Sequence, residues 1–220
     1  MSILDKIQVQ PSPNHNERIG GAADMLLLHY TGMETGEGAL ERLCDPAAQV
    51  SAHYLVFEDG RIISMVDEER RAWHAGLAYW AGQRDINACS IGIELVNPGH
   101  EFGYRAFPGE QMAALETLCL GILARHPIPP HRVLGHGDVA PARKEDPGEL
   151  FDWSRLARAG IGLWPEPGRG EADLARFGYD VSGPELAATA FQRHWRPGKV
   201  DGVMDDECRA LLAGLLDLLP

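Results

Sequence analysis

The sequence predicts an α/β domain joined to a small helical domain. Three observations carry that reading. Short apolar runs bounded by polar residues recur along the first two thirds of the chain; two β-rich runs flank an Asp-Gly turn; and a Pro/Gly-rich break near residue 165 is followed by helical periodicity. The first 23 residues, polar and interrupted by Pro11-Ser12-Pro13-Asn14, read as an irregular arm. Met25-Leu26-Leu27-Leu28-His29-Tyr30-Thr31 is an apolar run ending in polar residues, the pattern of a buried central strand. Residues 36–44 place Ala39, Leu40 and Leu43 at helical spacing, with Asp45-Pro46 as the stop.

Residues 53–57 and 62–66 form the hairpin pair around Asp59-Gly60. Ser90-Ile91-Gly92-Ile93-Glu94-Leu95-Val96 is a second central strand, with Glu94 oddly placed in its apolar run. Residues 108–126 carry Met112, Leu115, Leu118, Cys119, Ile122 and Leu123 on one helical face, with Pro108 at the start and Pro127 past the end. A short helix over 152–159 has an Asp N-cap and a Gly just beyond its end. The chain then divides into residues 1–164, a linker at 165–170, and residues 171–220. That last piece, about 50 residues, is large enough for three helices and too small for a large core of its own. The helices fall near 171–177, 184–195 and 205–218, with Phe177, Leu186, Phe191, Trp195, Leu211, Leu212 and Leu215 as the expected core.

Composition excludes several function classes. The 220 residues include 20 Lys plus Arg against 32 Asp plus Glu, a net charge of −12, which opposes binding to phosphate backbones and to anionic lipid. No window approaches the ~20 apolar residues that a membrane helix needs. Met1-Ser2-Ile3-Leu4-Asp5-Lys6 has neither a basic nor an apolar leader region, so the expectation is a cytoplasmic protein, with the cell envelope as the alternative. The four cysteines, Cys44, Cys89, Cys119 and Cys208, show no CxxC spacing and read as free thiols.

The histidines carry the chemical signal. His29 ends an apolar strand, His136 lies in the turn Leu134-Gly135-His136-Gly137-Asp138, and Asp146 follows ten residues later. Two histidines and a carboxylate, with a fourth position for water, make a catalytic zinc set. Glu94 is the candidate general base, because a carboxylate in an apolar strand is costly without a role or a partner. Lys144 stands where a positive charge can meet a developing oxyanion. On the residues alone, a solvent-facing Glu94 and a solvated Lys144 remain open.

Taken together, Leu28-His29-Tyr30-Thr31, Val50-Ser51-Ala52-His53-Tyr54, Ala72-Trp73-His74-Ala75-Gly76, Asn87-x-x-Ser90-Ile91-Gly92-Ile93-Glu94-Leu95 and Gly135-His136-x-Asp138-Val139-Ala140-Pro141-x-Arg143-Lys144-x-Asp146-Pro147-Gly148 resemble the zinc N-acetylmuramoyl-L-alanine amidases of the AmpD/AmiD type. The resemblance spans roughly residues 20 to 160, with all five blocks in order. It implies a central mixed β-sheet flanked by helices, one zinc ion on His29, His136 and Asp146, Glu94 as base and Lys144 as oxyanion partner. The implied reaction is hydrolysis of the amide between N-acetylmuramic acid and the L-Ala of the stem peptide.

Substrate contacts are expected at Tyr30, His53, His74, Arg84 and Asn87. His53 could equally be a packed core residue. The sequence departs from the family where Asp85 stands two residues before Asn87, with Arg84 one position earlier. Related amidases acting on diaminopimelate peptides tend to carry Arg at that place. Residues 171–220, with Phe191-Gln192-Arg193-His194-Trp195 and Val200-Asp201-Gly202, resemble the three-helix peptidoglycan-binding domain. The expected partners are peptidoglycan or muropeptide fragments, with no nucleic acid and no membrane insertion, and the expected state is a monomer. Two other readings, a catalytically inactive muropeptide-binding module and a different zinc peptidase, remain open at this level.

Overall fold

A computed structural model describes residues 7–220, so the leader expectation for Met1 to Lys6 lies outside the described residues. The chain builds β1 (Gln8–Val9), β2 (His15–Glu17), β3 (Met25–Tyr30), α1 (Gly36–Cys44), β4 (Tyr54–Val56), β5 (Ile62–Ser64), β6 (Arg70–Ala72), α2 (Ile86–Cys89), β7 (Ser90–Leu95), α3 (Gly99–Phe102), α4 (Gly109–Arg125), β8 (Val133–Gly135), α5 (His136–Val139) and α6 (Trp153–Arg158). Three further helices follow: α7 (Leu174–Phe177), α8 (Pro184–Trp195) and α9 (Asp206–Asp217). Six strands form a mixed sheet in the order β1-β5-β4-β7-β3-β8, and β2 pairs with β6 in a separate ribbon. The strands β4, β7, β3 and β8 run parallel, while β4 and β5 form the antiparallel hairpin.

The N-terminal arm is more ordered than its sequence suggests. Its backbone N–H and C=O groups pair as β1 on β5 and β2 on β6, and Ser12 and Asn14 donate side-chain hydrogen bonds to the Leu43, Asp45 and Val50 carbonyls. Runs of two and three residues are too short for an alternation signal, so partner strands rather than local pattern create them.

Alternation along the central strands sorts the core. Leu26, Leu28, Ile91 and Ile93 face α4 and α6, packing on Met112, Leu115, Leu118, Ile122 and Leu156. Met25 and Leu27 point the other way, into a core shared with Phe177, Phe191, Trp195, Leu212 and Leu215 of the C-terminal helices. On that second face α1 covers β4 and β5 through Leu43, Leu55, Phe57 and Ile63. Because successive strand residues alternate faces, Ser90, Gly92 and Glu94 lie on the side opposite Ile91 and Ile93. The odd position of Glu94 is therefore one step of a period of two.

Leu186, expected in the C-terminal core, is 45% exposed, whereas Tyr179 is fully enclosed against Trp80. On α8, Ala187, Ala190 and Phe191 turn inward, whereas Leu186 faces an open cavity that Leu77 and Arg84 also line. Residues 165–170 run across α9, where the Gly168 N–H donates to the Ala210 carbonyl. A Cβ on Gly214 of α9 would sit 1.9 Å from the Glu166 carbonyl oxygen.

That approach reverses an ordinary helix rule. Gly→Ala inside a helix normally stabilises by about 0.8–1 kcal/mol. Gly214→Ala is expected to destabilise this chain by at least that amount, read by urea denaturation. A gain in stability would show that segment 165–170 does not pack on α9.

Candidate metal centre and catalytic cleft

The carboxyl ends of three adjacent parallel strands deliver the chemical groups to one place, the usual position for a site on an open α/β sheet. His29 and Glu94 are register partners across β3 and β7, so their side chains share a face. Leu28 pairs with Gly135 across β3 and β8, which puts His136, the first residue of α5, beside His29. Asp146 arrives on the loop that follows, where the Gly137 N–H donates to the Asp146 carbonyl.

His29 Nδ1 lies 3.0 Å from His136 Nδ1, and each lies 3.2 Å from Asp146 Oδ2. All three side chains are at least 94% buried. Burial pushes the Asp146 carboxyl up, but the adjacent His136 and His29 outweigh it and hold the group well below the usual carboxylate range. Burial, with the charge of His136, lowers His29 to about 4, and Asp146 opposes that shift. His136 Nε2–H donates to the Ala75 carbonyl at 3.0 Å, which leaves Nδ1 with its lone pair facing His29. The Arg143 guanidinium donates to the same carbonyl and to that of Leu77. Two ring nitrogens and a carboxylate oxygen in mutual contact repel one another unless a proton or a metal cation lies among them. Donor type and count fit a divalent metal with a three-residue set.

Glu94 stands next to this cluster and completes no protein hydrogen bond at Oε2, which is buried and has no partner among the described residues. Burial, reinforced by Asp146, pushes its carboxyl well above the usual range, and Lys144 pulls the other way. An unpaired buried carboxyl is a standing cost. Here it opens onto a cleft of about 190 Å³ lined by Tyr30, Thr31, Trp73, His74, His136, Lys144 and Asp146 among others. Lys144 is exposed and forms no ion pair among the described residues.

The turn bearing His136 is held from below. Asp138 Oδ2 accepts the Gly135 N–H at 2.8 Å and lies 2.7 Å from His194 Nδ1, and Oδ1 accepts the Tyr179 hydroxyl at 2.5 Å. His194 stacks between Trp153 and Trp195, with ring centroids 3.7 and 3.6 Å away. Sequence reasoning left Asp138 without a role, although its place two residues after His136 in a Gly-flanked turn marks a carboxylate that must find donors.

Of the expected substrate contacts, Tyr30 and His74 line the cleft. Three others do not reach it. His53 is fully buried, accepts the Gly92 N–H at Nδ1 and donates from Nε2 to the Arg70 carbonyl, so both ring nitrogens serve the backbone. Asn87 is buried and its Oδ1 accepts the His74 and Ala75 N–H groups, which fixes the loop carrying His74. Arg84 lines a separate cavity of about 630 Å³, beside Leu77, Tyr79 and Asp180, with its guanidinium 5.4 Å from the Tyr79 ring centroid.

The sequence profile described as N-acetylmuramoyl-L-alanine amidase matches residues 19–149. The chain is 38% identical to N-acetylmuramoyl-L-alanine amidase AmiD of Escherichia coli over 88% of its own length and 82% of that protein. It is 39% identical to 1,6-anhydro-N-acetylmuramyl-L-alanine amidase AmpD of Citrobacter freundii, over 49% of this chain and 56% of that one. Among solved structures, AmiD from E. coli in complex with the substrate anhydro-N-acetylmuramic acid-L-Ala-D-gamma-Glu-L-Lys superposes with a TM-score of 0.80 at 35% identity, covering 92% of each chain. The AmpDh3 structure from Pseudomonas aeruginosa gives a TM-score of 0.80 at 32% identity, covering 94% of this chain and 95% of that one. The profile match and the near full-length similarity agree with the strand-end cluster of His29, Glu94, His136 and Asp146: this chain belongs to the N-acetylmuramoyl-L-alanine amidase family.

Proposed function

We propose that the chain hydrolyses the amide between the lactyl group of N-acetylmuramic acid, 1,6-anhydro forms included, and the L-Ala of the stem peptide, using one zinc ion in peptidoglycan turnover or recycling. The observation that carries this reading is the convergence of His29 Nδ1, His136 Nδ1 and Asp146 Oδ2 beside the unpaired Glu94 carboxyl. AmiD and AmpDh3, each solved with an anhydromuramyl peptide, support the substrate class.

His29, His136 and Asp146 would hold the zinc, which when bound supplies a Lewis acid and lowers the pKa of a water to about 7. The rest of the work falls to the chain. Glu94 takes one proton from the attacking water as its oxygen adds to the lactyl carbonyl carbon. The Lys144 ammonium faces the negative charge that then develops on the carbonyl oxygen. As the C–N bond breaks, Glu94 returns the proton to the L-Ala nitrogen, giving a lactyl carboxylate and a free peptide amine. Tyr30, on the cleft wall, is the residue placed to orient the sugar and peptide.

Residues 171–220 read as a peptidoglycan-binding-like module that also buttresses the catalytic sheet, since its largest apolar side chains are spent against Met25 and Leu27. The reading includes a monomer and a cytoplasmic location, with the cell envelope as the alternative; the free thiols of Cys44, Cys89, Cys119 and Cys208 are compatible with a reducing compartment. No helix among the described residues is long and apolar enough to cross a membrane.

Purified chain is expected to bind one zinc per molecule by elemental analysis. It should release free tripeptide from anhydro-muramyl tripeptide, stop on chelation and recover with zinc; metal-independent release would overturn the zinc assignment. Glu94→Gln should keep its zinc while kcat falls by about 10²–10⁴, the usual contribution of a general acid–base group. A zinc-loaded Glu94→Gln enzyme with normal turnover would remove Glu94 from proton transfer. Lys144→Met should lower kcat by about 10²–10³ with little change in KM, the signature of a lost oxyanion partner. A change confined to KM would make Lys144 a substrate-binding residue instead.

A further inference from the structure

His74 stands on the cleft wall, yet both of its ring nitrogens are engaged by the protein. Nδ1 lies 3.0 Å from His29 Nε2, and Nε2 lies 3.3 Å from Ser90 Oγ. Ser90 is fully buried, and its hydroxyl donates to the Ile86 carbonyl at 2.6 Å. That carbonyl can only accept, so the single hydroxyl proton of Ser90 is committed to it. Toward His74, Ser90 Oγ can then only accept, and the proton of the neutral His74 ring lies on Nε2. His74 Nδ1 in turn has only a lone pair to offer, so the shared proton between the two rings belongs to His29 Nε2. His29 is left with a bare Nδ1 aimed at Asp146 Oδ2 and His136 Nδ1.

We propose that Ile86, Ser90 and His74 form a polar relay that fixes the tautomer of His29 and so presents its Nδ1 lone pair to the metal, with His74 and Ser90 as positioning residues. The inference rests on the metal reading above. His136 reaches the same tautomer by a different route, through the Ala75 carbonyl, which can only accept. The relay also accounts for Gly92. Strand alternation puts Ser90, Gly92 and Glu94 on one face, and the His74 ring lies over the middle position, where a Cβ would come within 2.5 Å of the ring. The ring is turned edge-on to those of His29 and His53, with centroids 5.1 and 5.6 Å away. No carboxylate hydrogen-bonds His74 among the described residues, so nothing there supports a charged ring. Placing a neutral, oriented partner behind a metal-ligating histidine fixes ring orientation and tautomer together, and loss of such a partner typically weakens metal binding 10- to 100-fold.

The test uses two readouts on the full chain. In zinc-free protein, long-range ¹H–¹⁵N spectra of the imidazoles should show His29 and His74 both as the Nε2–H tautomer; a His29 ring protonated at Nδ1 would overturn the relay. Zinc titration of Ser90→Ala and of His74→Phe, which keeps an aromatic ring over Gly92, should give a zinc Kd raised about 10- to 100-fold. Ser90→Thr, which restores the hydroxyl, should recover most of that loss. Unchanged zinc affinity in folded His74→Phe would show that the ring only packs. Wild-type protein that binds no zinc but shows the expected tautomers would reject the metal reading and leave the hydrogen-bond relay standing, so the two failures are distinguishable.

Discussion

The structure turns on the parallel register of three strands. Pairing His29 with Glu94 across β3 and β7, and Leu28 with Gly135 across β3 and β8, lines up three strand ends so that His29, Glu94 and His136, the residue just past β8, share one place. A shift of one residue in β7 would carry Glu94 to the opposite face and leave an apolar residue beside His29. Leu26, Leu28, Ile91 and Ile93, all fully buried against α4 and α6, make that slip expensive. Core packing on one face therefore sets the chemistry on the other.

The second face is divided between two covers. α1 shields β4 and β5, the C-terminal helices shield β3 and β8, and the cleft opens beside α1, where Ala39, Arg42 and Leu43 join His29's neighbours Tyr30, Glu94 and Asp146 in its lining. The C-terminal helices also touch the site's support directly, because Tyr179 and His194 satisfy the carboxylate of Asp138, two residues from His136. A buried carboxylate with that many partners is costly to leave half-paired. The orientation of His136 is thus tied to residues more than forty positions further along the chain.

Much of this was legible in the sequence. The central strands, the hairpin, the long amphipathic helix and the three C-terminal helices follow from periodicity and from Gly, Pro and Asp punctuation, and the structure places them where those signals stand. His29 and Glu94 were legible for a different reason: polar groups in apolar strands are conspicuous because they cost so much without a role. His136 and Asp146, on a turn and a loop, were legible from their spacing and from the family resemblance. The short strands of the N-terminal arm were not legible, since pairing partners distant in sequence create them. Nor was the division of labour among His53, His74 and Asn87. All three lie in family-like motifs, but only three-dimensional hydrogen bonding shows that His53 and Asn87 serve the backbone while His74 stands behind His29. Arg84 illustrates the same limit, because a loop residue near a motif in sequence can face a different cavity.

The most direct test of the central claim is the fate of solvent oxygen during turnover. Zinc-loaded enzyme would be incubated with anhydro-muramyl tripeptide in H₂¹⁸O and the products analysed by mass spectrometry. Attack on the lactyl carbonyl, with Glu94 moving the proton, places one ¹⁸O in the muramic acid carboxylate and releases an unlabelled peptide with a free L-Ala amine. Label in a peptide carboxylate, or cleavage at any other bond, would contradict the assignment of this cleft to the muramyl–L-Ala amide.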